Sequence, residues 1–278
     1  MSTVGKRKNR SVLLWKLLPM LAAMLVVVAA KGYEVLAARE ASAPSPVLTE
    51  APEHGDLDLP PVQSPPPTPA PTQAAPGYDF SAPVPESAAV DAHWFDDALF
   101  IGNSLTEGFI LYSGIENAHA LTSPGVMVDT IFTAPVINVS GRKLPIMQAA
   151  AGTGFNKIYI MLGTNELGWR SLDIFTAKYG AIIDELRRTH PKAEIYVQSI
   201  LPVTPKLSDN DPVFTNSNVR KFNAAIQSLC AEKEVYYVNV YEAVEQNGVL
   251  PEADAYDGVH LLTPGYEKWL TYLKTHTA

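Results

Sequence analysis

Three short segments of the chain combine glycine with side chains that could do chemistry. Gly102-Asn103-Ser104-Leu105-Thr106-Glu107-Gly108 offers a hydroxyl, and Gly163-Thr164-Asn165-Glu166 offers a side-chain amide. Asp257-Gly258-Val259-His260 offers a carboxylate and an imidazole three residues apart. A neutral imidazole can take a proton from a serine, and a carboxylate beside it fixes its tautomer. An amide N–H can hold a developing oxyanion. Brought together, these groups would carry out nucleophilic attack on an acyl carbon. Taken singly, each has a plainer reading: Ser104 as a helix N-cap, Asn165 as a turn residue. His54, His93, His119, His190 and His276 have no comparable neighbourhood. The single cysteine, Cys230, lies in an apolar helical pattern and reads as a small buried hydrophobe. It leaves the chain without an internal disulfide or a cysteine metal site.

The elements that must position these groups are visible in the apolar patterning. Residues 98–101, 157–162, 194–200 and 234–240 read as buried strands, with 137–139 as a shorter one. Between them, Phe175, Tyr179, Ile182, Ile183 and Leu186 fall on one helical face, as do Val219, Phe222, Ile226, Leu229 and Cys230. Tyr266, Leu270 and Leu273 predict a last helix. Alternation of short β-rich runs with helices predicts an α/β domain with a parallel sheet covered on both faces. In such a sheet, ligands bind at the carboxyl ends of the strands. Ser104 and Asn165 both follow predicted strands directly. A serine at a helix start also presents its own N–H, and the helix dipole favours negative charge there.

The ordered segments resemble those of the SGNH, or GDSL-like, hydrolases. Gly102-Asn103-Ser104-Leu105 resembles the nucleophile block, Gly163-Thr164-Asn165-Glu166 the Asn block and Asp257-Gly258-Val259-His260 the D-x-x-H block. Gly125, in Ser123-Pro124-Gly125-Val126, is the candidate for the glycine block. The resemblance spans about residues 96–266. It implies a three-layer α/β/α fold with a central, mostly parallel five-stranded sheet of SGNH or flavodoxin-like kind. It also implies Ser104 as nucleophile, His260 as base and Asp257 as its partner, with Ser104, Gly125 and Asn165 as oxyanion donors. It calls for no metal or organic cofactor. The family usually carries Asp where this chain has Asn103; Asn keeps the size and hydrogen bonding but loses a charge. Glu166, Trp169 and Tyr112 are candidates for the mouth of the site or for ordinary surface and core.

Composition sets the outer frame. The 278 residues are 47% hydrophobic and 18% charged, with a formal net charge of −8. Such a chain is a poor partner for nucleic acid, whose affinity comes from neutralising phosphates with Lys and Arg. Residues 1–37 open with Lys6, Arg7, Lys8 and Arg10, followed by an apolar run at 11–30 broken by Lys16 and Pro19. This predicts a membrane anchor with an extracellular catalytic domain, with a signal peptide cleaved after Val35-Leu36-Ala37 as the alternative. Residues 38–88 read as a Pro-rich disordered linker; 13 of the 23 prolines fall in 41–86. Extended at about 3.1 Å per residue, residues 41–86 would reach roughly 140 Å at most. The catalytic domain is expected at 89–278.

The leading expectation is an extracellular serine esterase that removes acyl groups, acetyl foremost, from an acylated small molecule, a polysaccharide or another cell-envelope ester. An acyltransferase would use the same acyl-enzyme with a different acceptor. A tethered wall-binding module without catalysis is the alternative from another class.

Overall fold

The structure is a computed structural model that describes residues 78–278. The predicted anchor or signal segment and most of the Pro-rich stretch lie outside the described residues. In chain order, the strands are β1 (Ala98–Gly102), β2 (His119–Thr122), β3 (Ile137–Val139), β4 (Arg142–Leu144), β5 (Lys157–Met161), β6 (Glu194–Gln198) and β7 (Tyr236–Val238). The helices are α1 (Ser104–Tyr112), α2 (Ile146–Ala150), α3 (Leu172–Thr189), α4 (Pro205–Asn210), α5 (Asn216–Lys233), α6 (Tyr241–Val244) and α7 (Thr263–Thr275). Among the described residues, no helix is long and apolar enough to cross a membrane.

Five strands form one all-parallel sheet in the order β2-β1-β5-β6-β7. Its alternating side chains enter two separate cores. Leu99, Ile101, Ile158, Ile160 and Val197 pack with Phe175, Tyr179 and Phe222 of α3 and α5. Phe100, Tyr159, Tyr196 and Val238 pack with Phe109 of α1 and Trp269 and Leu273 of α7. On this second face, Phe100, Tyr159, Tyr196 and Tyr236 stack across four neighbouring strands, with ring centroids 4.9, 4.6 and 5.0 Å apart. Burial on both faces explains why the strands read as continuous apolar runs.

Two features depart from the sequence expectation. Residues 137–139 do form a strand, but it lies outside the central sheet. β3 pairs antiparallel with β4, and Ser140 and Gly141, both at positive φ, make the two-residue turn between them. The run is three residues long, its last two residues are exposed, and it pairs with Arg142 and Lys143 of β4, so it suits a half-exposed hairpin better than a buried strand. The fifth sheet strand is instead β2, whose His-Ala-Leu-Thr sequence carries little apolar signal because it pairs on one side only.

The second departure is at the start of the domain, where packing begins before residue 89. Tyr78 and Phe80 lie against the ring of Tyr236 at 4.9 and 5.5 Å. Val84 is buried and donates its N–H to the Tyr237 carbonyl at 2.8 Å. Ser87 and Val90 donate to Thr275 and Lys274 at the end of α7.

Candidate active site

The chain leaves β1 for β2 on one side of it and returns to β5 on the other, so the connections diverge at the carboxyl ends of β1 and β5. That is the position where open α/β sheets form a crevice. Gly102 lies opposite both Thr122 and Met161 in register. The segments after β1, β2 and β5 therefore emerge side by side, carrying Ser104, Gly125 and Asn165.

Gly102 permits the tight exit from β1. A Cβ there would lie 2.1 Å from Thr106 Oγ1 and 2.7 Å from the Met161 carbonyl. Asn103 then caps α1, its Oδ1 accepting from the Leu105 N–H at 3.0 Å. The N-cap is thus Asn103, and Ser104 is the first residue of the helix, with its hydroxyl free for another partner. Asn103 is buried, and its Nδ2 has no hydrogen-bond partner. An acceptor oxygen is all the cap requires, which is why Asn can stand where the family usually has Asp.

That partner is His260. Ser104 Oγ lies 2.9 Å from His260 Nε2, and His260 Nδ1 lies 2.8 Å from Asp257 Oδ2. The second oxygen of Asp257 accepts from the backbone N–H groups of Val259 and His260 at 3.0 and 2.8 Å. Partial burial works against the Asp257 charge, but these backbone bonds and the His260 ring outweigh it, so the carboxyl stays below its ordinary range. The loop is pinned by Tyr256 N–H to the His260 carbonyl, Leu262 N–H to Asp254, and Thr204 N–H to Gly258. Residues 156 positions apart thereby meet without a flexible partner.

The Gly125 and Asn165 segments follow β2 and β5, the two strands that flank β1. Pro124 and Gly125 occupy the corners of a turn closed by Val126 N–H to the Ser123 carbonyl at 3.2 Å. Gly125 has φ +73°, as the third position of a type II turn requires. Asn165 Nδ2 donates to the Val126 carbonyl at 2.9 Å, which fixes the amide and leaves its second N–H for a ligand. Next to it, Glu166 is buried, and its Oε1 accepts from the Val128 N–H at 2.6 Å. Asn165 and Glu166 thus hold the Gly125 segment through two crossing bonds. Burial, with Asp129 adding to it, pushes the Glu166 carboxyl up to about 7 against the backbone N–H bonds it accepts. Its Oε2 has no hydrogen-bond partner.

Of the three candidates for the mouth, Tyr112 lines the cleft beside Ser104. Glu166 is interior and Trp169 packs against the core. The role of Glu166 was hidden because its sequence signal, a carboxylate after Asn in a turn, is that of a surface residue.

These features define an SGNH-type α/β/α fold with a serine, a histidine and an aspartate in line at its carboxyl edge. The profile of the GDSL-like lipase/acylhydrolase family matches residues 100–268. The chain belongs to this family and is a hydrolase of its carboxylic-ester type. A search of curated protein sequences found no match. Among solved structures, one described as a putative platelet activating factor from Streptococcus pneumonia is 25% identical, with a TM-score of 0.53, over 64% of this chain and 82% of that one. A GDSL-like lipase from Bacteroides thetaiotaomicron is 17% identical, with a TM-score of 0.49, over 64% and 85%. A carbohydrate acetylesterase from Sinorhizobium meliloti is 13% identical, with a TM-score of 0.45, over 64% and 95%.

Proposed function

We propose that the domain is a serine esterase working outside the cell, removing a short acyl group, acetyl foremost, from a carbohydrate or other cell-envelope ester. The observation that carries this reading is the unbroken hydrogen-bonded line from Ser104 Oγ through His260 to Asp257.

In the first step, Ser104 Oγ bonds to the ester carbonyl carbon while its proton passes to His260 Nε2. The Asp257 carboxylate stabilises the imidazolium. The carbonyl oxygen, now negative, is held by the Ser104 and Gly125 N–H groups and the free N–H of Asn165. The carbon–oxygen bond to the alcohol breaks, and His260 returns the proton to the leaving oxygen. Water then attacks the acyl-enzyme, giving its proton to His260, which passes it to Ser104 Oγ as the acid departs. The chemistry draws only on these side chains and amides.

A short acyl group is favoured because residues 89–278 contain no long apolar segment to cover a fatty chain. The extracellular placement rests on the basic and apolar N-terminus followed by the Pro-rich stretch. The N-terminal mass of the cell-derived protein separates a retained anchor from cleavage after Ala37.

The test is labelling with a fluorophosphonate, alongside acetate release from acetylated sugar. The wild-type protein should be labelled at Ser104 and release acetate, and Ser104→Ala should do neither. Absence of label and acetate from the folded wild-type protein would remove the esterase reading.

A further inference from the structure

A cleft of about 400 Å³ opens beside Ser104 and His260, walled by residues of α1, the His260 loop and α7. Neither Gly125 nor Asn165 lines it. This placement matters if the esterase reading holds, since His260 must hand its proton to the departing oxygen. The leaving alcohol therefore extends from the His260 side of the acyl carbon, where the cleft lies. On that reading the oxyanion is held instead by Gly125 and Asn165, which lie outside the cleft.

The walls have a consistent chemistry. Leu111 (64% exposed), Tyr112 (53%), Tyr256 (80%) and Leu262 (40%) are half of the eight large hydrophobic side chains exposed among the described residues. All four line this one cleft. Scattered exposed hydrophobics carry no meaning, but a cluster around one opening marks a binding surface. Tyr112 and Tyr266 stand with ring centroids 5.9 Å apart, and Tyr256 directly precedes Asp257. Glu107 also lines the cleft, and no Lys or Arg does. Among the described residues the Glu107 carboxylate has neither a hydrogen-bond nor an ion-pair partner, so both its oxygens are available as acceptors.

We propose that this cleft is the leaving-group subsite and that it takes an uncharged sugar ring, whose C–H face lies on Tyr256 and Tyr112 and whose hydroxyls donate to Glu107. A purely alkyl alcohol would leave the Glu107 carboxylate desolvated without a donor. An anionic alcohol, such as a sugar phosphate, meets a negative side chain and no cation.

The inference rests on the esterase reading, so the test separates the two. The full chain is assayed on four acetates with different alcohols: methyl acetate, acetylated methyl glucoside, the 6-phosphate of that glucoside, and octyl acetate. Wild-type kcat/KM should be highest on the neutral glucoside. Tyr256→Ala should lower the ratio of glucoside to methyl acetate by about tenfold, mainly through KM, as expected for loss of one aromatic face. Glu107→Gln should raise the ratio of sugar phosphate to neutral sugar by about three- to tenfold at low salt, with the gain shrinking as salt is added.

Preference for octyl acetate over the glucoside would overturn the carbohydrate assignment. So would variants whose ratios match the wild type. Failure of the wild-type chain on all four acetates, with Ser104 unlabelled by fluorophosphonate, would instead strike the esterase reading itself.

Discussion

Glu166 makes the stability of this domain depend on pH in a direction opposite to most paired carboxylates. Its carboxyl is fully buried and titrates at about 7 rather than its ordinary 4.5, chiefly because burial disfavours the charge. In the unfolded chain the group loses its proton near the ordinary value. Between the two values, the folded protein binds the extra proton, so unfolding releases it and stability falls as pH rises. Below the window the penalty is absent, and above it the penalty is complete. Each pH unit across the window is worth about 1.4 kcal/mol, so the whole amounts to roughly 3 kcal/mol. In a domain of this size, that corresponds to roughly 6–12 °C in melting temperature.

Glu166→Gln isolates the effect. Gln keeps an oxygen for the Val128 N–H and nearly the same volume but cannot titrate. Its amide gains an N–H group where Oε2 now lacks a partner, so its absolute stability is not the clean observable. The change in stability between pH 5 and pH 8 is. Urea unfolding followed by tryptophan fluorescence should show the wild-type chain losing about 2.5 kcal/mol more than Glu166→Gln over that interval. Other titrating groups, including Asp257, are common to both proteins and cancel. Equal pH dependence in the two would refute the reasoning, because it would mean that Glu166 is charged at no cost where it sits.

Other outcomes follow from the same geometry. Asn165→Ala should keep the fold and lose on the order of 10²–10³ in kcat on acetylated sugar, the usual cost of one oxyanion donor; an unchanged kcat would remove Asn165 from that role. Asp257→Asn should lose roughly 10⁴ in kcat while keeping Ser104 and His260 in place, since the amide favours the wrong imidazole tautomer. Steady-state kinetics on methyl acetate checks it. Asn103→Ala should cost about 1 kcal/mol in urea unfolding, from loss of the cap on the Leu105 N–H. Glu166→Leu should reduce kcat in the wild-type background more than in Asn165→Ala, because both residues hold the Gly125 segment. A double-mutant cycle reads that coupling, and additive losses would refute it.

Much of this was legible in the sequence because chemistry and architecture are adjacent along the chain. Ser104 and Asn165 come within four residues of strands whose apolar runs are unmistakable, since burial on two faces leaves no polar alternation to confuse. Asp257 and His260 needed no strand, because three residues and a pinned loop suffice to join them. What stayed hidden had its signal in tertiary pairing. β2 is an edge strand whose four residues gain their place only by matching the register of β1. The start of the domain was masked by composition. Pro83 and Pro85 remove two backbone donors and mark the segment as a linker, yet Val84 between them still donates to Tyr237 and buries its side chain.

The same distinction explains how function divides across the site. The groups that would act on the acyl carbon sit at the carboxyl end of the sheet, held by backbone bonds and by the Asn165 and Glu166 clamp. Those that would choose the alcohol, Tyr112, Tyr256 and Glu107, line the cleft from α1 and the His260 loop, and both tyrosines are more than half exposed. Changes to the first set should reduce turnover on every ester, whereas changes to the second should reorder the substrates. Mixed behaviour in the second set would mean that the His260 loop carries its walls and its base as one unit. Tyr256 decides between these, being adjacent to Asp257 in sequence yet mostly in solvent. If its backbone alone supports the loop, through the bond to His260, then Tyr256→Ala changes selectivity without changing the pH dependence of kcat.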